Sequence, residues 1–290
     1  MKPAPFAYHA PATLSEAVSV LAQLGDQGRV LAGGQSLLPL MNFRLAQPAH
    51  LVDIRRLDEL DYIRSDDGWL AIGARVRQAA LERSEDVRAR CPLLVETVAL
   101  VGHPPIRHQG TVCGSVAHAD PAAELPAALL ALGAEVVLAT ELGEQRLPIG
   151  EFVLGPYATA CPTGGLLKEV RVPAQDASTG YAFVESSRRH GDFAIAGAAA
   201  LLRVEQGRID RAAIALCGVA GTPVRASRAE GVLHGTRGAA DFEAAAQAAV
   251  DELEPPADVH GSAEFRRKVA RVCVQRALER ALAQAQGGAA

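Results

Sequence analysis

The sequence predicts an α+β fold spread over more than one domain, and three observations carry that expectation. At 290 residues the chain is longer than one hydrophobic core of ordinary size serves. Helical and extended periodicities are mixed through the first 172 residues. Beyond them, three extended stretches come in a row and are followed only by helices, the segregated order of an α+β unit.

Thr13-Leu14-Ser15-Glu16 is a capping box, and Leu14, Ala17, Val18, Leu21 and Leu24 then recur at helical spacing until Gly25 stops the run. This predicts a helix over 14–24. Arg29 to Ala32 reads as a short strand, Gly33 to Ser36 as its turn, and Leu51 to Ile54 as a second strand. Tyr62-Ile63 and Trp69 to Ile72 flank the polar turn Ser65-Asp66-Asp67-Gly68, which signals a hairpin. Leu93–Val101 and Ala122–Leu132 read as helices, and Glu135–Leu138 and Leu166–Val172 as strands. Residues 173–180 replace periodic apolar positions with Pro, Gly and small polar residues, so they are the expected linker. Tyr181–Ser186, Ala198–Val204 and Ile209–Val219 are extended, and Ala-rich helices follow over 226–234 and 239–252. A last helix over 262–285 places Phe265, Val269, Val272, Cys273 and Arg276 on adjoining turns as its packing stripe.

Bulk properties exclude several classes of function. Nearly half the residues are apolar and 21% are charged, as in a globular protein, and no stretch approaches the ~20 apolar residues of a membrane span. The N-terminus has no apolar core of a signal peptide, so the expected location is the cytoplasm. A net charge of −4, with both signs interspersed, gives no electrostatic footprint for nucleic acid. Cys91, Cys113, Cys161, Cys217 and Cys273 are far apart and form no C-x-x-C pair, which argues for buried thiols rather than a zinc or iron–sulfur site.

Two glycine-bearing segments carry the chemistry. "LAGGQSLLPL" at 31–40 is neither a P-loop nor a G-x-G-x-x-G fingerprint, yet it brings four small residues together at a strand edge. "HPPIRHQGTVCGSVAHADPAAELP" at 103–126 sets Gly110, Gly114 and Ser115 ahead of an Ala-rich helix with Asp120 and Glu124 near its start. Amides exposed on such turns suit an anion such as a pyrophosphate. Two ordinary tight turns remain the alternative on residues alone. His103, His108, His118 and Asp120 match no metal-binding spacing, and Pro104-Pro105 with the nearby glycines reads as a loop. No G-x-S-x-G elbow is present, so acyl transfer has no support.

"AGGQSLLPLM", "IRHQGTVCGSVAHADPAAELP" and "SRRHGDFA", in this order, resemble the FAD-binding medium subunits of the molybdenum hydroxylases, the flavoprotein subunits of carbon monoxide dehydrogenase and xanthine dehydrogenase. "GTPVRASRAE" at 221–230 and "DVHGSAEFRRKVARVCVQRAL" at 258–278 extend the resemblance to nearly the whole chain. It implies a vanillyl-oxidase-type FAD-binding domain of two α/β lobes, 1–57 and 58–177. A C-terminal domain, 178–290, of a three-stranded sheet with helices would cover the flavin. The first loop would wrap the FAD diphosphate with Ala32, Gly33, Gly34, Gln35 and Ser36, flanked by Arg29 and Leu37. The second would supply Thr111, Gly114 and Ser115, with His118 and Glu124 along phosphates and hydroxyls. A carboxylate can accept hydroxyl hydrogen bonds there, and amides can hold phosphate charge. Val101 and Leu167 would touch the rings, Phe193 would cover the isoalloxazine, and Asp192 would be its polar neighbour.

The resemblance also implies a role: an oxidoreductase subunit with no catalytic acid or base of its own. It would receive electrons from 2Fe-2S clusters of a small subunit after a large molybdopterin subunit acts on substrate. It would pass them through FAD to NAD or another acceptor, in a dimer of heterotrimers. A free-standing FAD-dependent oxidoreductase and a non-redox nucleotide-binding module are the alternatives. Two departures stand out: Cys113 occupies a usual glycine position, where a side chain limits close backbone approach, and His108 stands where an Asn is common.

Overall fold

The computed structural model describes residues 2–176 and 178–287. Met1, Ala177 within the expected linker, and 288–290 lie outside the described residues. Three main sheets organise the chain. The first is parallel, with His50–Asp53 between Ala7–His9 and Gly28–Leu31. Helix Leu14–Leu24 makes its crossover and buries Ala17, Val18 and Leu21, while Thr13 Oγ1 accepts from the Glu16 amide as the capping box requires.

The second sheet is antiparallel, in the order Ile63–Asp66, Trp69–Gly73, Leu166–Pro173, Glu135–Thr140, Gly143–Pro148. The hairpin turns at Asp67 and Gly68, both with positive φ (45° and 80°). Six helices connect Trp69–Gly73 to Glu135–Thr140 along the chain: Gln78–Arg83, Glu85–Arg90, Pro92–Leu100, Pro104–Gln109, Val112–His118 and Glu124–Leu132.

Two of these correct the expected loop around Pro104-Pro105. The prolines occupy the first helical positions, where a missing N–H costs nothing, and start helix Pro104–Gln109. After Gly110 turns the chain, Thr111 caps helix Val112–His118 by accepting from the Gly114 amide at 3.0 Å. Prolines at a helix start and prolines in a loop look alike in the sequence.

The C-terminal sheet contains the three expected strands, Thr179–Ser186, Ala196–Glu205 and Arg208–Cys217, extended by the two-residue Val224–Arg225. It is buried on both faces, which is why "AGAAALL" is continuously apolar. Ala199, Leu201, Ala213, Ala215 and Cys217 face the core shared with the first two sheets. Ala198, Ala200, Leu202, Ile214 and Leu216 face helices Ser227–Leu233, Phe242–Val250 and Ala263–Ala285.

The long helix packs by a different stripe from the expected one. Arg266, Ala270, Cys273, Val274, Ala277, Leu278, Ala281 and Leu282 are buried, whereas Phe265, Val272 and Arg276 are exposed. Small residues win that face because strand and helix approach closely: a Cβ at Gly180 would lie 1.9 Å from the Ala281 carbonyl oxygen. No helix among the described residues is long and apolar enough to cross a membrane.

Candidate functional site

Strand Gly28–Leu31 ends at the edge of its sheet, and the chain turns through 32–36 into helix Leu37–Asn42. Gly34 makes the turn in the left-handed region, with φ 73°. Gly33 is needed for a different reason. A Cβ there would lie 2.4 Å from the Gln109 carbonyl oxygen and 2.8 Å from Gly110 Cα, so the two glycine-bearing segments touch backbone to backbone. Ala32 in turn approaches helix Val112–His118, its Cβ 4.0 Å from where a Cβ on Gly114 would stand. Arg77 donates to the Gln109 carbonyl and secures the second segment.

Beside this junction lies a cleft of about 770 Å³, within the ~300–1,000 Å³ typical of ligand sites. Its wall contains Arg29, Ala32, Gly33, Gly34, Gln35, Ser36, Leu37, Val101, Thr111, Gly114, Ser115, His118, Glu124, Leu167 and Phe193. Asp192 is not part of it. In the turn 187–193, Gly191 and Phe193 face the cleft while Asp192 between them is exposed to solvent. His108 is likewise exposed and outside the wall. Cys113 does not obstruct the approach: its thiol is turned into the core, with Sγ 3.5 Å from the Ile72 carbonyl, and burial pushes its pKa up, away from the reactive thiolate.

The donor set suits a dinucleotide diphosphate. Among the described residues, the amides of Gly33, Gly34, Gln35, Ser36 and Leu37 have no protein acceptor, and no side chain grows from Gly33 or Gly34 to block them. Deeper in, Gln78 Oε1 is buried at the wall with no donor. Glu124 begins helix Glu124–Leu132, is 3% exposed, and is pushed up to about 7 mainly by burial. Burial also lowers the pKa of His118, whose ring lies 5.1 Å from that of Tyr157. Neutral imidazole and a carboxyl near neutrality suit hydroxyl groups, while the amides suit negative charge.

Tyr157 and the segment Thr159–Gly165 complete the wall and were not singled out in the sequence. The Pro162-Thr163-Gly164-Gly165 turn was a readable signal; Gly164 has φ 79°, and a Cβ there would lie 2.9 Å from Ala22 Cα. Tyr157 gave none. It holds φ 57°, donates from its amide to Ala119, itself at φ 52°, and from its hydroxyl to Asp120 at 3.2 Å. The four residues weighed for a metal separate: the His103 ring meets Gly191 and His190, His108 is exposed, and His118 and Asp120 line the cleft. Among the described residues no group of three or more His, Cys, Asp or Glu is placed to hold a metal ion.

Comparison with known proteins matches residues 4–175 to the family model described as the FAD binding domain in molybdopterin dehydrogenase. Residues 181–281 match that of the CO dehydrogenase flavoprotein C-terminal domain. The chain is 44% identical over 288 residues to the 6-hydroxypseudooxynicotine dehydrogenase complex subunit alpha of Paenarthrobacter nicotinovorans, covering 99% of this chain and 97% of that one. It is 39% identical to the carbon monoxide dehydrogenase medium chain of Hydrogenophaga pseudoflava, covering 98% and 99%. A solved structure of the latter organism's carbon monoxide dehydrogenase, lacking the Mo-pyranopterin moiety, superposes with a TM-score of 0.96 at 41% identity, over 98% of this chain and 99% of that one.

Proposed function

The chain belongs to the FAD-binding medium subunits of the molybdenum hydroxylases, and from that premise we propose how it holds the cofactor and where it stands in electron transfer. It is an oxidoreductase subunit, and FAD is its cofactor. The amides of 33–37 receive the diphosphate, with Arg29 and Ala32 beside them. Thr111, Gly114 and Ser115 approach the same group from the second lobe. His118 and Glu124 take the hydroxyl-bearing part of the ligand, Val101 and Leu167 flank its rings, and Phe193 lies over the flavin. Asp192 acts from outside the cleft, through the turn that carries Phe193. The segments 1–57, 58–177 and 178–290 serve as two gripping lobes and a cover.

When bound, FAD would supply the redox chemistry between 2Fe-2S clusters of a small partner subunit and NAD or another acceptor. The chain's own residues bind, orient and shield; no side chain is assigned proton transfer. A large molybdopterin subunit completes a cytoplasmic heterotrimer that pairs into a dimer, and the organic substrate binds there. The observation that carries this reading is the backbone contact of Gly33 with Gln109–Gly110 beside five amides that lack acceptors among the described residues.

Two measurements test it. The purified chain should be yellow, or turn yellow with stoichiometric FAD; a chain that takes up none would overturn the reading. Expressed with its two expected partners, it should co-purify with iron, molybdenum and FAD in one complex. Isolation as a lone flavoprotein that reduces directly with substrate would favour a free-standing oxidoreductase.

A further inference from the structure

Helix Ala263–Ala285 carries one arginine on its buried face. Arg266 is 4% exposed, and its guanidinium joins three separate segments. Nη2 donates to both carboxylate oxygens of Asp258, at 2.9 and 2.8 Å. Nη1 donates to the carbonyls of Ile195 and Gly218, at 2.6 and 3.1 Å. Gly218 has φ 76°, and a Cβ on it would lie 2.7 Å from the same Ile195 oxygen; its amide donates to the Pro121 carbonyl at 2.8 Å. The guanidinium therefore sits where the exit of turn 187–193, the end of strand Arg208–Cys217 and the segment leading to Glu124 converge.

Phe193 stands two residues before Ile195. The residue is 61% exposed at the cleft, so side-chain packing does little to hold it. Within the turn, the Asp192 amide donates to Arg189 and the Ser187 hydroxyl to the same carbonyl, which tie the turn only to itself. Its exit is hydrogen-bonded at Ile195, by the amide donating to Ser186 at 2.8 Å and the carbonyl accepting from Arg266, with Ala194 before it buried in the core. Arg107 and Arg225 show a related arrangement, each pairing with a glutamate and donating to two consecutive carbonyls, Val101 and Gly102 or Leu130 and Ala131. Arg266 differs in binding carbonyls from two separate segments, Ile195 just before strand Ala196–Glu205 and Gly218 just after strand Arg208–Cys217, so it ties the exit of the turn to the end of the neighbouring strand. A lysine has no planar fork with which to serve a carboxylate and two carbonyls together.

Resting on the reading of the cleft as the FAD site, we propose that Arg266, held by Asp258, is the positioning residue for Phe193: it fixes the Ile195 carbonyl and thereby where the aromatic ring lies over the flavin. Removing Arg266 leaves buried carbonyls unpaired and risks the fold, so the partner is the better target. The Asp258 side chain is 42% exposed, and Asp258→Asn keeps its size while losing one acceptor and the charge.

The experiment uses the full chain loaded with FAD and Phe193→Trp as reporter, because an indole stacked on a flavin quenches its fluorescence. F193W should be strongly quenched relative to the unmodified chain. Adding D258N, or R266K, should restore at least half of the lost emission while FAD affinity changes by less than about threefold. Doubly substituted chains as quenched as F193W, with only the melting temperature lowered, would make the clamp purely structural and overturn the inference. Absence of quenching in F193W with FAD still bound would overturn it while leaving the cofactor site in place. Failure of the unmodified chain to take up FAD would remove the site itself.

Discussion

At the scale of single residues, space and charge make separate predictions. Gly33→Ala would place a methyl 2.4 Å from the Gln109 oxygen, forcing the two loops apart; a loss of about 1–3 kcal/mol in stability is expected, with FAD affinity falling at least tenfold. Thermal melts and a FAD titration check both. Glu124 makes the pH prediction, together with Glu185, whose Oε2 is buried without a donor and which is pushed up to about 8 by burial and the nearby Glu124 charge. Between the ordinary value of 4.5 and about 7, folded Glu124 keeps a proton that the unfolded chain has released. The folded state then binds more protons, so FAD-free stability falls as pH rises through that window. Glu124→Gln should flatten this fall and raise stability at pH 8 by on the order of 2 kcal/mol, while weakening FAD binding; unfolding in urea at several pH values measures it. At this scale the glycines were legible in the sequence because their absence of side chain is itself the function. Asp192 and Phe193 were adjacent letters with nothing to say which faced inward.

At the scale of elements, the capped N-terminal helix, the Asp-Gly hairpin and the strands of the C-terminal sheet were legible because their signals are local. The six helices before residue 132 were only partly so. Pro92–Leu100 and Glu124–Leu132 are long enough to show as apolar runs, whereas Pro104–Gln109 and Val112–His118 are too short for periodicity and are defined by Pro104, Pro105 and the Thr111 cap. Thr111→Ala should therefore cost about 1 kcal/mol. Because Thr111 also lines the cleft, FAD affinity should fall with it, and Thr111→Ser should restore both in a melt and a titration. The long helix packs by a stripe other than its largest apolar side chains for a related reason. Phe265 and Val272 have larger apolar side chains, but strand Thr179–Ser186 approaches the helix at Gly180 so closely that a small residue, Ala281, is needed at that point of the interface.

For the whole molecule, Arg225 is the clearest link between the C-terminal domain and the lobe carrying Glu124. It donates to the Leu130 and Ala131 carbonyls, at 3.0 and 3.3 Å, and is held by Glu230. Arg225→Gln should cost about 2 kcal/mol and make proteolysis of the C-terminal region faster than that of the remainder, read by timed digestion and mass spectrometry. FAD reverses the balance: at about a hundredfold excess over its dissociation constant it should add about 2.7 kcal/mol to the stability of the unmodified chain, seen as a raised melting temperature.

The sequence by itself determined the α+β class, the two glycine segments and the resemblance to a flavoprotein subunit, because each is written in neighbouring residues or ordered motifs. Tertiary structure alone decided that Gly33 rests on Gln109–Gly110, that Tyr157 and Gln78 join the wall, that Asp192 stays outside and that Arg266 ties Ile195 to Gly218. These are contacts between segments tens of residues or more apart. Their geometry depends on how three sheets pack, and local propensity carries no information about that distance.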